Sequence, residues 1–182
     1  MTTYRTAAEL AAFESELRLA PKDVGSVELV VSRPVEGKRE VLDVGRLTFA
    51  DGLEGDSWRS RGRAHVDSQI NVMSARMAAF LAVDPRRRAL AGDQLFIDLD
   101  LSHENLPAGA RLAVGDAVIE VSRKPHNGCA KFVRRFGQDA MEFVNSPLGQ
   151  SLRLRGFNAR VVVEGEVRPG DKVVRLAETL EL

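Results

Sequence analysis

The chain has 182 residues, 44% of them hydrophobic and 29% charged, and its 26 basic residues balance 26 acidic ones. That length allows one compact domain with a real core, and the composition excludes a disordered or low-complexity polymer. With a formal net charge of zero there is no global field to draw the chain to nucleic acid or to a membrane, so neither partner is expected and any basic site must be local.

The opening segment predicts a helix, with Thr6 and Glu9 spaced as a capping box, Leu10, Phe13 and Leu17 on one face, and Pro21 as its stop. It carries three glutamates and no long apolar run, so it reads as neither a signal peptide nor a membrane span. From Gly25 the period changes to two. Val27, Leu29 and Val31 alternate with polar neighbours, RPVEGK at 33–38 supplies a turn, and 39–49 continues extended, which predicts a hairpin. The polar loop ADGLEGDSWRSRGR follows, then a short strand from Gln69 to Met73 and a helix opened by Ser74 with Met77, Phe80 and Leu81 inward.

The second half predicts short strands at 93–99, 111–114, 117–123, 157–164 and 172–176, interrupted by helical spacing between Cys129 and Leu152. Many short strands of similar length point to a mainly β fold, a closed barrel with peripheral helices. The organisation expected is an N-terminal helix over 1–24 packed on a barrel domain over 25–182.

Cys129 is the only cysteine, so an intramolecular disulfide is impossible, and the lone thiol fits a reducing compartment, the cytoplasm. It stands in KPHNGCAKF, where Pro125 ends a strand, Gly128 removes bulk, a helix begins and Lys131 adds a cation. Each of those features lowers the cost of a thiolate, with His126 as its assistant if the turn brings it close; the alternative, the more common fate of a lone cysteine, is a small buried hydrophobe that happens to precede a helix. His65, His103 and His126 match no zinc spacing, and His65 beside Asp67 either orients a ligand or caps a loop.

Of the 26 basic residues 21 are Arg, a bias that marks anion sites or GC-rich codon usage alike. Arg59, Arg61 and Arg63, then Arg134 and Arg135, then Arg153 and Arg155 form three clusters beside Gly-containing loops. Brought to one barrel mouth they would make an anion pocket; otherwise they are solvated surface. No Walker loop, dinucleotide fingerprint or G-x-S-x-G elbow is present.

GLEGDSW at 52–58, HVDSQINVMS at 65–74, LPAGARLAVGDAVIEVS at 106–122, the cysteine stretch at 124–132 and RGFNARVVVEGEVRPGDKV at 155–173 occur in an order that resembles the MOSC domains, named for the molybdenum cofactor sulfurase C-terminal region. The resemblance implies a β-barrel similar to that of pyruvate kinase. It also implies a functional cysteine at Cys129 that either ligates the molybdenum of a bound pterin or carries sulfur as a persulfide. Gly55, Asp56, Arg59, His65, Asp67, Gln69, Asn127, Lys131 and Arg155 are the expected cofactor-binding residues, with Cys129 and His126 catalytic and Cys129 on the metal.

The implied activity is reduction of N-hydroxylated compounds with an external reductase. The alternative is a sulfur carrier working with a donor or acceptor protein. Pyridoxal phosphate belongs to a desulfurase domain that this chain does not resemble, and an electron- or sulfur-transfer pathway is expected to need partners. Two departures stand out: the family's G-E-N-L is Gly92-Asp93-Gln94-Leu95 here, and R-G-x-Y-A is Arg155-Gly156-Phe157-Asn158-Ala159. Each changes a corner of the expected site.

Overall fold

The computed structural model describes residues 4–62 and 64–177. Eleven strands are found among them: β1 (Val24–Ser32), β2 (Glu40–Leu42), β3 (Gly45–Thr48), β4 (Gly52–Leu53), β5 (Ile70–Ser74), β6 (Leu95–Asp98), β7 (Arg111–Val114), β8 (Ala117–Val121), β9 (Phe157–Val163), β10 (Gly165–Val167) and β11 (Lys172–Arg175). Seven of them, in the order β1-β11-β7-β8-β9-β5-β6, close on themselves because β1 pairs with both β11 and β6. Closure leaves no free edge in the ring. β2 adds to β1 as the expected hairpin, whereas β3 leaves that sheet to lie between β10 and β4.

One pairing in the ring is parallel, β5 with β6, and the connection between them holds α3 (Ala75–Ala82) and a 3-10 turn over Pro85–Ala91. Strands beneath such a crossover are covered on both faces. In β5, Ile70 and Val72 enter the barrel core while Met73 lies under the helices; in β6, Leu95 and Ile97 enter while Phe96 lies outside. β1 departs from the simple alternation read in the sequence. Its register against β6 shifts between Val27 and Leu29, so Val27 and Val30 face the barrel while Leu29 and Val31 meet the helices. An inserted residue reverses the parity of a strand.

The opening helix forms with its capping box, but it is broken into α1 (Ala7–Ala12) and α2 (Glu14–Leu17). Phe13 at the break stacks on Phe80 of α3, ring centroids 3.9 Å apart, and Leu10 is fully buried. The 129–152 interruption is three helices: α4 (Ala130–Phe136), α5 (Gln138–Asn145) and α6 (Pro147–Ser151). Gly137, at φ 91, separates the first two. A seven-residue helix such as α4 does not persist alone. Phe132 and Phe136 hold it, since they are 2% and 1% exposed and each such burial stabilises by about 1.5–3 kcal/mol. That anchoring fixes Cys129 at the helix start. Among the described residues no helix is long and apolar enough to cross a membrane.

Candidate functional site

Cys129 caps α4 in an extended conformation, and its side chain is exposed, which removes the buried-hydrophobe alternative. It opens into a cleft of about 1040 Å3 between the 33–39 turn and α4. Arg33, Lys131, Arg134, Arg135 and Arg155 give the walls a basic character, and Asn71, Gly92 and His126 also line the space. Of the predicted site residues, the fold therefore brings Cys129, His126, Lys131 and Arg155 together.

The two deepest arginines are matched by carboxylates. Arg33 holds Asp56 through two nitrogens, Nε at 2.8 Å and a terminal nitrogen at 2.9 Å, and the side chains are 5% and 0% exposed. Its remaining terminal nitrogen donates to Asn71 Oδ1 and to the Gly92 carbonyl. Asp56 also accepts from the Trp58 amide, and Ser32 Oγ donates to the Gly55 carbonyl. Gly55 and Asp56 thus pin the GLEGD loop to the end of β1 and orient Arg33; neither lines the cleft.

Arg155 donates to both oxygens of Asp93 at 2.8 Å and to the Ala91 carbonyl. The aspartate of the G-D-Q-L corner thereby fixes the arginine of the R-G-F-N-A segment. The next residue, Gly156, passes close against β5. At φ 96, a Cβ there would stand 1.8 Å from the Val72 carbonyl oxygen. Asn158, the residue that replaces the family's tyrosine, donates to the Lys124 and Pro125 carbonyls and accepts from Asn71, tying the irregular segment before Cys129 to β5.

His126 Nδ1 lies 3.6 Å from Asp93 Oδ1, too far for a hydrogen bond. Burial, reinforced by the Arg155 charge and opposed by Asp93, pushes its pKa down to about 3, so the ring is neutral near pH 7. A neutral imidazole accepts or donates one hydrogen bond without adding charge. Burial also lowers the Arg135 pKa, against the opposing pull of Cys129. Lys131 pairs with Glu36 across the cleft mouth.

The other expected cofactor contacts lie elsewhere. Arg59 is exposed and sits 3.5 Å from Asp51. His65 accepts from the Asp67 amide and caps a 3-10 turn, so the loop-capping alternative holds, and the Asp67 carbonyl receives Ser122 Oγ. Gln69 is a buried strut, accepting from the Val161 amide and donating to the Phe49 carbonyl. Asn127 lines a different cavity, described below. Arg63 lies outside the described residues.

Sequence reading passed over Arg33 and Asn71. Arg33 reads as the first residue of a turn, and its partner Asp56 is 23 positions away, so only folding joins them. Asp93 was visible as a departure from the family pattern, yet nothing local showed that it meets Arg155.

The MOSC domain model matches residues 63–174, more than half the chain, and this protein belongs to the MOSC domain family. The solved structures share its fold. A hypothetical protein aligns with a TM-score of 0.62 at 20% identity, covering 92% of this chain and 74% of its own. The YuaD protein from Bacillus subtilis aligns at 0.57 and 15% identity, covering 85% and 97%. YiiM from Geobacillus stearothermophilus aligns at 0.54 and 16% identity, covering 89% and 77%. No curated protein matches the chain by sequence. MOSC domains are associated in general with molybdenum cofactor binding or sulfur transfer.

The cleft fits such a cofactor on its own chemistry. Two buried nitrogens, His126 Nδ1 and Arg155 Nε, have no hydrogen-bond partner, and both residues line the space beside an exposed soft thiol. Among the described residues no group of three or more His, Cys, Asp or Glu side chains is placed to hold an ion by itself. Cys129 would act as a single protein ligand to a metal that brings its other donors with it.

Proposed function

We propose that this protein binds a molybdenum pterin in the Cys129 cleft and, with electrons from an external reductase, supports reduction of N-hydroxylated compounds. The observation that supports it is the exposed lone thiol inside a 1040 Å3 cleft walled by arginines. When bound, the cofactor supplies a two-electron redox centre, while the protein binds and orients it. Cys129 would ligate the metal through sulfur. Arg134, Arg135 and Lys131 would meet the negative groups of the pterin, and the neutral His126 ring would stand beside the Arg155–Asp93 pair with its Nδ1 free to meet the ligand. The free thiol suits a reducing compartment, the cytoplasm.

The test is molybdenum per protomer, measured by elemental mass spectrometry on protein made in a molybdate-supplemented, cofactor-producing host. Near-stoichiometric metal in the wild type that disappears in Cys129→Ser is the expected result. Metal that is absent from both, or equal in both, sinks the proposal.

The solvent exposure of Cys129, and the lack of any side-chain capping hydrogen bond from it, favour one second reading, a sulfur carrier. Its thiolate would attack the terminal sulfur of a donor persulfide, forming a new S–S bond as the donor thiolate leaves. Incubation with a desulfurase should then add about 32 Da to the wild type and nothing to Cys129→Ser.

A further inference from the structure

A second cavity, about 450 Å3 in volume, adjoins the Cys129 cleft, and His126 and Arg155 line both. Its cations are Arg123, Lys124, Arg153 and the shared Arg155, with His103 at the edge. Among the described residues no Asp or Glu lines it. Arg155 is already engaged by Asp93, and Lys124 reaches Ser68 Oγ, but no carboxylate pairs with Arg153 among the described residues.

Arg153 is the telling residue. It is 8% exposed, donates to the Leu106 carbonyl, and stands 5.8 Å from the centre of the Phe157 ring. Its backbone is left-handed, at φ 48, in the turn closed by the Gly156 amide on the Arg153 carbonyl. A non-glycine residue in that region is strained, and a buried charge without a counter-charge is costly. Two unfavourable features at one residue imply that the guanidinium is held for a purpose beyond packing. Burial pushes its pKa down to about 10, and its charge adds to burial in lowering that of His103. The cavity is therefore a pocket of positive potential whose lining, among the described residues, carries cations and no carboxylate.

The geometry points to a second ligand site in this chamber, adjoining the Cys129 cleft, which takes the phosphate or carboxylate group of a small molecule on Arg153, with Arg123 and Lys124 beside it. In the cleft the two deepest arginines, Arg33 and Arg155, are each occupied by a carboxylate, and only Arg155 is shared with the chamber. This inference goes beyond the cofactor reading and needs neither molybdenum nor a reactive Cys129.

Inorganic phosphate is the probe, titrated calorimetrically into the metal-free full chain. Binding to the wild type is expected, weakened at least about tenfold in Arg153→Gln, as loss of a charge-assisted bidentate contact implies. It is expected to be unchanged in Cys129→Ser and in Arg134→Gln, which alter only the cleft. Phosphate should also raise the NMR titration midpoint of His103 in the wild type. Should Arg153→Gln not fold, the double variant Arg123→Gln/Lys124→Gln replaces it, with a several-fold loss expected. Absence of phosphate binding, indifference to the chamber variants, or a loss confined to Arg134→Gln overturns the assignment. Because molybdenum content is measured separately, failure here leaves the cofactor proposal standing, and the converse also holds.

Discussion

In the Cys129 cleft each deeply placed arginine has a carboxylate of its own, Arg33 with Asp56 and Arg155 with Asp93. In the adjoining chamber Arg153 is as deeply placed, and no carboxylate meets it among the described residues. The same residue type thus does two jobs. Matched arginines shape the cleft; an unmatched arginine leaves positive potential for something that enters. Counting arginines along the chain cannot separate these roles, since what differs is the partner across the fold.

Three perturbations sharpen this contrast. The largest effect is expected from Asp93→Ala, which strips the shared Arg155 of its counter-charge and makes the cleft resemble the chamber. Breaking a buried pair by removing one partner costs about 3–5 kcal/mol, which urea denaturation should record. A loss below about 1 kcal/mol would show that solvent, not Asp93, neutralises Arg155.

The second effect depends on pH. Folding holds the His126 pKa at about 3, while the unfolded ring titrates near its ordinary value of 6.5. Below pH 6.5 the unfolded chain takes up a proton that the folded chain refuses. His126 therefore contributes full stability above that pH and progressively less as pH falls toward 3. Over that window the loss is on the order of a few kcal/mol, and His126→Asn should flatten the slope of unfolding free energy against pH. Parallel slopes for wild type and variant would remove His126 from the acid response.

Lys131→Ala should do least. Its pair with Glu36 spans the cleft mouth with side chains 53% and 84% exposed, and such exposed pairs contribute about 0–1 kcal/mol. A larger drop in melting stability would mean that the pair clamps the 33–39 turn.

Much of the frame was legible beforehand because its signals are local. The Thr6–Glu9 capping box, the Ser74 cap, the short strands of the second half and the placement of Cys129 just before a helix all rest on residues within a few positions of one another. The bulge in β1 was not legible. Val27, Leu29 and Val31 read as one face, and only pairing with β6 shows the shift that sends Val30 inward. The break after α1 was hidden in the same way, since stacking on Phe80 places Phe13 where the helix yields. Among the expected site residues, Cys129, His126, Lys131 and Arg155 share the cleft, whereas Asn127 lines the adjoining chamber and His65 and Gln69 hold loops and strands together.

The sequence by itself determined the strands and helices of a closed barrel, the motif order that resembles the MOSC domains and the one candidate thiol, because periodicity, caps, motifs and a single cysteine are all read along short stretches. The tertiary structure decided which charges are neutralised. Arg33 meets Asp56 and Arg155 meets Asp93 across 23 and 62 positions of chain, and Arg153 meets neither. Electrostatic energy depends on separation in space and on exclusion of water, and both are set only when the barrel closes.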